Sequence, residues 1–358
     1  MKSRMIDFHY KALPWNIIFG VGALNRLPDE LVKLGYSRAL VLATPNQKET
    51  GQEIVKLLDD KAVGLFGRAM MHVPVETLNL ALAEAKRLDA DCSVSIGGGS
   101  TTGLSKALAF HLDLPNIVLP TSYAGSEMTN VWAVTQNNRK VTRRDNVVVP
   151  TLTIYDPELT LTLPPAFAAA SGMNAMAQAI ANAAAEDANP VSSVMALEGI
   201  RALAHSLPVI ISDPVNMDAR VEAMYGACLA AAALGTGATG LHHRLCHTFG
   251  GTFNTPHAET HTILLPHSVA YNADARPEAT RRIAGAMGVS DAATGLFDLA
   301  GSLGAPTALK DIGVKQEDLD EAATVALETP INNPEPVTRE RIRTLLDNAW
   351  HGHPPRPV

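Results

Sequence analysis

The chain predicts an α/β domain with a parallel sheet, followed by an all-helical domain, with the functional site in the cleft between them. Two observations carry that expectation. From about residue 16 to 156, short apolar runs alternate with amphipathic stretches, which is the grammar of a parallel α/β sheet. After Leu163-Pro164-Pro165 the alternation stops, and segments rich in Ala, Leu and Met take over with helical spacing. The division is drawn at residue 157, giving domains 1–157 and 158–358.

Taken in order, the runs 16–19, 39–42, 63–66, 92–96, 116–119 and 152–155 read as strands. Residues 53–58 and 77–88 read as helices between them, and 104–110 as a helix that follows the fourth strand. In the second half, 166–186, 191–207, 218–234 and 277–287 read as helices with no strand-like alternation. No internal repeat or low-complexity linker interrupts the chain. A ligand cleft is expected where the two architectures meet.

Composition narrows the function class. At 358 residues with 46% hydrophobic residues and a mean hydropathy of +0.06, the chain can build a substantial core in each half. Its net charge of −7 is spread without basic blocks, which argues against nucleic acid or an anionic membrane as partner. The three cysteines, Cys92, Cys228 and Cys246, match neither a disulfide framework nor a zinc motif and suit a reducing cytoplasm. The start, MKSRMIDFHYKALPW, lacks a signal-peptide core, and no uninterrupted apolar run is long enough to span a bilayer. A cytoplasmic location is expected.

Two loops have the character of a nucleotide site. The fourth strand runs straight into Gly97-Gly98-Gly99-Ser100-Thr101-Thr102-Gly103 and then into a helix. Strand, glycine loop and helix form a phosphate-binding order, because glycines let backbone N–H groups approach an anion and the helix start adds free donors. This makes the sheet Rossmann-like, although GxGxxG after the first strand is absent. Pro120-Thr121-Ser122-Tyr123-Ala124-Gly125-Ser126-Glu127 follows the next strand and could line the nicotinamide end through Thr121 and Ser122; it also reads as a capped helix start. The second strand ends Leu42-Ala43-Thr44-Pro45-Asn46, with no acid to bond a ribose 2′-OH or repel a 2′-phosphate, so NADH and NADPH are both expected to be accepted.

Six of the 12 histidines lie between Gly240 and Asn272. His243 and His247 share a helix face by their four-residue spacing, and His257 can fold back after Gly250-Gly251. Convergence of these three on one pocket is expected, with His242, His261 and His267 in structural roles.

Together, the GGGS loop, PTSYAGSE, IYDPELTLTLPP and GLHHRLCHTFGGTFNTPH resemble the iron-containing (group III) alcohol dehydrogenases. With PVE at 74–76, YAGSEMT at 123–129 and GAPTALKDIG at 304–313, the chain is more closely similar to that family's maleylacetate reductase branch, from about residue 5 to 350. Metal-dependent members hold a divalent ion through an Asp and a His four apart on one helix and two later histidines fourteen apart. The later pair matches His243 and His257, but the early pair falls on Asn174 and Gln178. Neutral amides are poor ligands for iron or zinc, so no metal is expected, with a three-imidazole trap at His243, His247 and His257 as the remaining alternative. Asn174 and Gln178 read either as substrate-binding groups or as a buried amide pair.

The resemblance implies NAD(P)H-dependent reduction of the C=C bond of maleylacetate to 3-oxoadipate in aromatic-compound catabolism. A metal-dependent alcohol dehydrogenase of the same family and a catalytically silent nucleotide-binding protein are the alternatives. His243 takes the central electrophilic or acid role, His257 supports it at the same oxygen, and His247 orients substrate or nicotinamide. The small dicarboxylate substrate needs local cations. The candidates are Lys140, Arg143, Arg144, Arg244 and Arg339, with Tyr123 and Asn130 as neutral partners. A homodimer is expected.

Overall fold

The structure, a computed structural model, describes residues 7–136, 139–185, 188–235 and 240–357, with the side chains of Arg139 and Lys140 outside that description. The first domain contains strands β1 Ile17–Phe19, β2 Ala39–Leu42, β3 Ala62–Phe66, β4 Cys92–Gly97, β5 Asn116–Pro120, β6 Val131–Gln136, β7 Arg139–Arg144 and β8 Leu152–Tyr155. Its helices are α1 Leu27–Leu34, α2 Lys48–Leu58, α3 Val75–Arg87 and α4 Gly99–Leu112. Six strands make one parallel sheet in the order β1-β8-β5-β4-β2-β3. β4 and β5 are buried along their whole length, and for that reason they read as continuous apolar runs in sequence. The two serines in β4 are satisfied internally: Ser93 Oγ lies 3.0 Å from Ser105 Oγ, and Ser95 Oγ donates to the Ile117 carbonyl.

The order of the sheet positions the site. From β2 the chain steps outward to β3, then crosses back over β2 to β4 and continues the other way through β5 to β8. β2 and β4 are therefore neighbours whose onward connections diverge. Their carboxyl ends open the crevice in which doubly wound sheets bind ligands.

The antiparallel hairpin β6–β7 is absent from the sequence reading. Its second strand, RKVTRR, is exposed from Val141 to Arg144 and lacks an apolar face, so it carries no alternation to detect.

The domains meet through built contacts. The Asp156 carboxylate, just past β8, accepts from the backbone N–H groups of Gly22, Leu24 and Glu158 and ties the sheet's end to its first turn. The chain then enters an all-helical domain: α5 Pro165–Ala183, α6 Pro190–Ser212, α7 Met217–Leu234, α8 Leu241–Thr252, α9 His257–Asn272, α10 Pro277–Met287, α11 Ala292–Ser302, α12 Asp318–Ala326 and α13 Arg339–His351. No strand occurs among its described residues. α5, α6 and α7 pack into a core that also takes in Tyr123, Met128 and Tyr155 from the α/β domain, while α8, α9, α12 and α13 enclose a second core.

α6 is the one described helix long and apolar enough to cross a membrane. Its residues Glu198 and Arg201 pair with each other, and Arg201 also reaches Glu222 on α7. Its opposite face, including Ala196, Ile200, Leu203 and Leu207, is buried in the first core.

Candidate active site

At the carboxyl end of β4 the backbone turns sharply. Gly97 has φ +141°, and a Cβ there would stand 2.6 Å from Gln47 Oε1 and 2.7 Å from Thr101 Oγ1. A Cβ on Gly98 would meet Ser122 Oγ at 2.8 Å. The glycines are therefore required by the close approach of two other loops. Gln47, in the turn after β2, donates from Nε2 to Thr121 Oγ1 at 2.9 Å, and the Thr121 N–H donates to the Gly97 carbonyl at 3.0 Å. Thus the ends of β2, β4 and β5 are knitted into one floor. α4 starts at Gly99 with no side-chain cap and no acid in its first turn, so its leading N–H groups face the crevice mouth beside exposed Gly99 and half-buried Ser100. This cradle fits a diphosphate. Asn46 sits exposed in the turn after β2, at the same rim.

The loop from Thr121 to Asn130 forms the corner between the domains. Gly125 is left-handed, φ +76°, and a Cβ there would lie 2.6 Å from Gln178 Oε1 and 2.7 Å from Ala231 Cβ, so α5 and α7 press directly against the loop backbone. Gln178 Nε2 donates to the Ala124 carbonyl at 2.9 Å, and Ser171 Oγ accepts from the Tyr123 N–H at 2.9 Å. From below, Lys106 on α4 donates from Nζ to the carbonyls of Ser126, Thr129 (2.6 Å) and Val131 (2.9 Å) and to Thr129 Oγ1 (3.1 Å). Burial pulls this fully enclosed amine down to about 7, opposed by the nearby Glu127 carboxylate. Glu127 is also buried, which raises it, and it accepts from Tyr155 Oη at 2.7 Å.

Five histidines from α8 and α9 gather under the cleft. Measured between ring centroids, His261 lies 5.2 Å from His243, 4.5 Å from His257 and 4.8 Å from His242; His243 lies 6.4 Å from His247. His247 and His257 are exposed, whereas His242, His243 and His261 are buried. Burial first, then the neighbouring rings, holds His243 and His261 well below the ordinary imidazole range and takes His242 down to about 3. His243 is thus a neutral imidazole at working pH, and its Nδ1 is buried without a partner among the described residues. An acid role that relies on a pKa near neutrality does not suit it, which leaves the electrophilic half of its expected part.

The remaining candidates are spread more widely. Asn174 and Gln178 lie one turn apart on α5, each 7% exposed. Tyr123 is packed into the helical core with its hydroxyl turned toward the buried Arg220 guanidinium. Arg244 is half-buried on α8. Arg143 stacks over Phe110 and Trp132, Arg144 reaches Asn130 Oδ1, and Arg339 pairs with Asp320 at 2.7 Å. Lys140 lies outside the described side chains. Sequence reasoning missed Gln47, Ser171, Lys106 and the His242–His261 contact; the one visible signal was a lone lysine inside the apolar run 104–110.

The set that the family's ion would use, Asn174, Gln178, His243 and His257, contains no carboxylate and only two imidazoles. Gln178 has committed its nitrogen to the Ala124 carbonyl, which leaves only a neutral amide oxygen, Oε1, buried without a hydrogen-bond partner among the described residues. These donors do not fit a transition-metal ion that needs charged or imidazole ligands.

Comparison with known proteins agrees in both halves. The family model described as iron-containing alcohol dehydrogenase matches residues 14–157, and that for the C-terminal part of the Fe-containing alcohol dehydrogenase family matches 168–350. The maleylacetate reductase of Sphingobium indicum is 51% identical over 350 residues, 98% of this chain and 99% of the relative, and that of Burkholderia cepacia is 49% identical over 97% and 99%. The crystal structure of maleylacetate reductase from Rhizobium sp. strain MTP-10005 superposes with a TM-score of 0.95 at 45% identity, covering 98% of this chain and all of the other. The crevice at the sheet's switch point, the helical domain beside it and these full-length matches lead to one conclusion: the chain belongs to the iron-containing alcohol dehydrogenase family.

Proposed function

We propose that the protein is a maleylacetate reductase that uses NADH or NADPH and works without a metal ion in its catalytic cleft. What carries this reading is its near-full-length likeness to relatives named for that activity. The floor made by Gly97, Gly98, Gly99, Ser100, Thr121 and Gln47 holds the dinucleotide, with Ser122 toward its reactive end and Asn46 at the ribose rim. When bound, the nicotinamide supplies a hydride.

The substrate's C=C is conjugated to a ketone, so hydride arriving at the alkene carbon beta to that ketone places the electron pair on the ketone oxygen as an enolate. A neutral N–H of His243, aimed at that oxygen in a largely dry site, stabilises the charge without ionising itself. His257 and His247 reach solvent, so either can deliver a proton to the carbon next to the ketone and be reloaded from water. One hydride and one proton give 3-oxoadipate. Asn174 and Gln178 contact the substrate from α5, and Arg244, Arg143 or Arg144 offers a cation to its carboxylates. Ile17 and Phe19, 39% and 37% exposed on the open edge strand β1, offer a face for a homodimer.

The test is a spectrophotometric assay of chelator-treated protein with maleylacetate and either reduced nicotinamide. Full turnover is expected. Turnover that vanishes with chelation and returns with iron or zinc would instead indicate a metal-dependent dehydrogenase, and cofactor binding without consumption a silent nucleotide binder.

A further inference from the structure

We infer that His242, Cys246 and His261 form a separate ligand set, buried beneath the cleft histidines, that binds a thiophilic divalent ion of the zinc class. The three donor atoms lie within 4.8 Å of one another, and all three residues are buried. His242 and Cys246 are four residues apart on α8 and so share a face, and His261 comes across from α9. None of the three belongs to the family's ligand set considered above.

The spacing suits the chemistry. With Zn–N near 2.05 Å and Zn–S near 2.3 Å, a tetrahedral ion separates two nitrogens by about 3.3 Å and nitrogen from sulfur by about 3.6 Å. His242 Nε2 and Cys246 Sγ are 3.7 Å apart, already at that value, His242 Nε2 and His261 Nδ1 at 2.9 Å need to part by a few tenths of an ångström, and the remaining Cys246–His261 pair, within 4.8 Å, closes toward about 3.6 Å as the ion draws the two helices' side chains together.

The protons can be accounted for. One proton now lies between His242 Nε2 and His261 Nδ1, and it can move to the far nitrogen of its own ring, His242 Nδ1 or His261 Nε2, both buried without a hydrogen-bond partner among the described residues. The Cys246 thiol gives its proton to solvent, so each ion bound releases one proton. Access comes from a cavity of about 70 Å³ at the C-terminal half of α5, whose wall includes His242, Ser268 and Asn272. Water from that cavity completes the fourth position. An ion there would pin α8 to α9 directly beneath His243 and His257.

The experiment titrates chelator-treated full-length protein with Co²⁺, read by absorbance, and with Zn²⁺, read by calorimetry. One ion per chain is expected, with a thiolate-to-cobalt band in the near ultraviolet. Cys246→Ala and the near-isosteric Cys246→Ser should abolish the band and weaken zinc binding at least about 100-fold, while His243→Ala keeps both. Circular dichroism and NADH binding confirm that each variant is folded. The inference fails if no thiolate band forms, or if binding survives both cysteine variants and disappears in His243→Ala, which would assign the ion to the cleft histidines. This outcome is independent of whether maleylacetate is reduced.

Discussion

Acidification from pH 7 to pH 5 should unfold this protein with unusual steepness, because four histidines are folded into places that refuse a proton. His242, His243, His261 and His267 are 8%, 6%, 1% and 2% exposed. Burial, the leading cause in each case, lowers His242 to about 3 and His267 to about 4, and holds His243 and His261 well below the ordinary range. In the unfolded chain all four return to about 6.5. Their folded-state affinity for protons is depressed, so the unfolded state binds more protons below pH 6.5, and stability falls as pH drops through 6.5 toward the folded-state values. A ring that stays neutral costs about 2 kcal/mol at pH 5, so His242 and His267 together cost about 4 kcal/mol, a large share of an ordinary domain's stability, and His243 and His261 add to the loss in the same direction. The measurement is the urea midpoint of chelator-treated protein at half-unit steps from pH 7.5 to 5. A loss under about 2 kcal/mol over that range, on the same scale, would mean that these rings are protonated inside the fold and that the neutral-imidazole account of His243 is wrong.

Three further outcomes follow from the site. Asn174→Asp combined with Gln178→His supplies a carboxylate and an imidazole to the family's ligand positions, which already include His243 and His257, so the double variant should bind one Fe²⁺ or Zn²⁺ per chain, by metal analysis after gel filtration, in Cys246→Ala protein as well. His243→Ala should leave the NADH dissociation constant within about twofold and cut turnover of maleylacetate by roughly two to four orders of magnitude; near-normal turnover would remove the ring from the mechanism. Gly97→Ala forces a Cβ into a backbone at φ +141° and against Gln47 and Thr101, so NADH affinity measured by fluorescence should fall at least about tenfold and stability by about 1–3 kcal/mol, and an unchanged dissociation constant would place the cofactor elsewhere.

The sheet was legible because a parallel strand covered on both faces must be apolar throughout, and β2, β4, β5 and β8 are buried at every residue. The glycine loop was legible for a related reason, since close backbone approach leaves no choice of residue. The β6–β7 hairpin was not, because an exposed cationic strand pairs through its backbone and leaves no apolar pattern. Lys106 stands out in sequence only as a lone lysine in an apolar run, and its role emerges once the fold surrounds it with oxygens from a segment some 20 to 25 residues away. His242 and His261 are both buried, and their contact joins two helices, so no spacing along one helix announces it. For His243 the position was readable and the protonation state was not, since burial is a property of the neighbours.

The Thr121–Asn130 loop is clasped from both sides: Lys106 grips it from the α/β domain, while Ser171 and Gln178 grip it from the helical one, and Trp15 Nε1 adds a bond to the Met128 carbonyl. A joint so fastened acts as a fulcrum. Any relative motion of the two domains is most restricted at this corner. The floor at the ends of β2, β4 and β5, which joins this loop through Thr121, is thereby held in register with both domains at once.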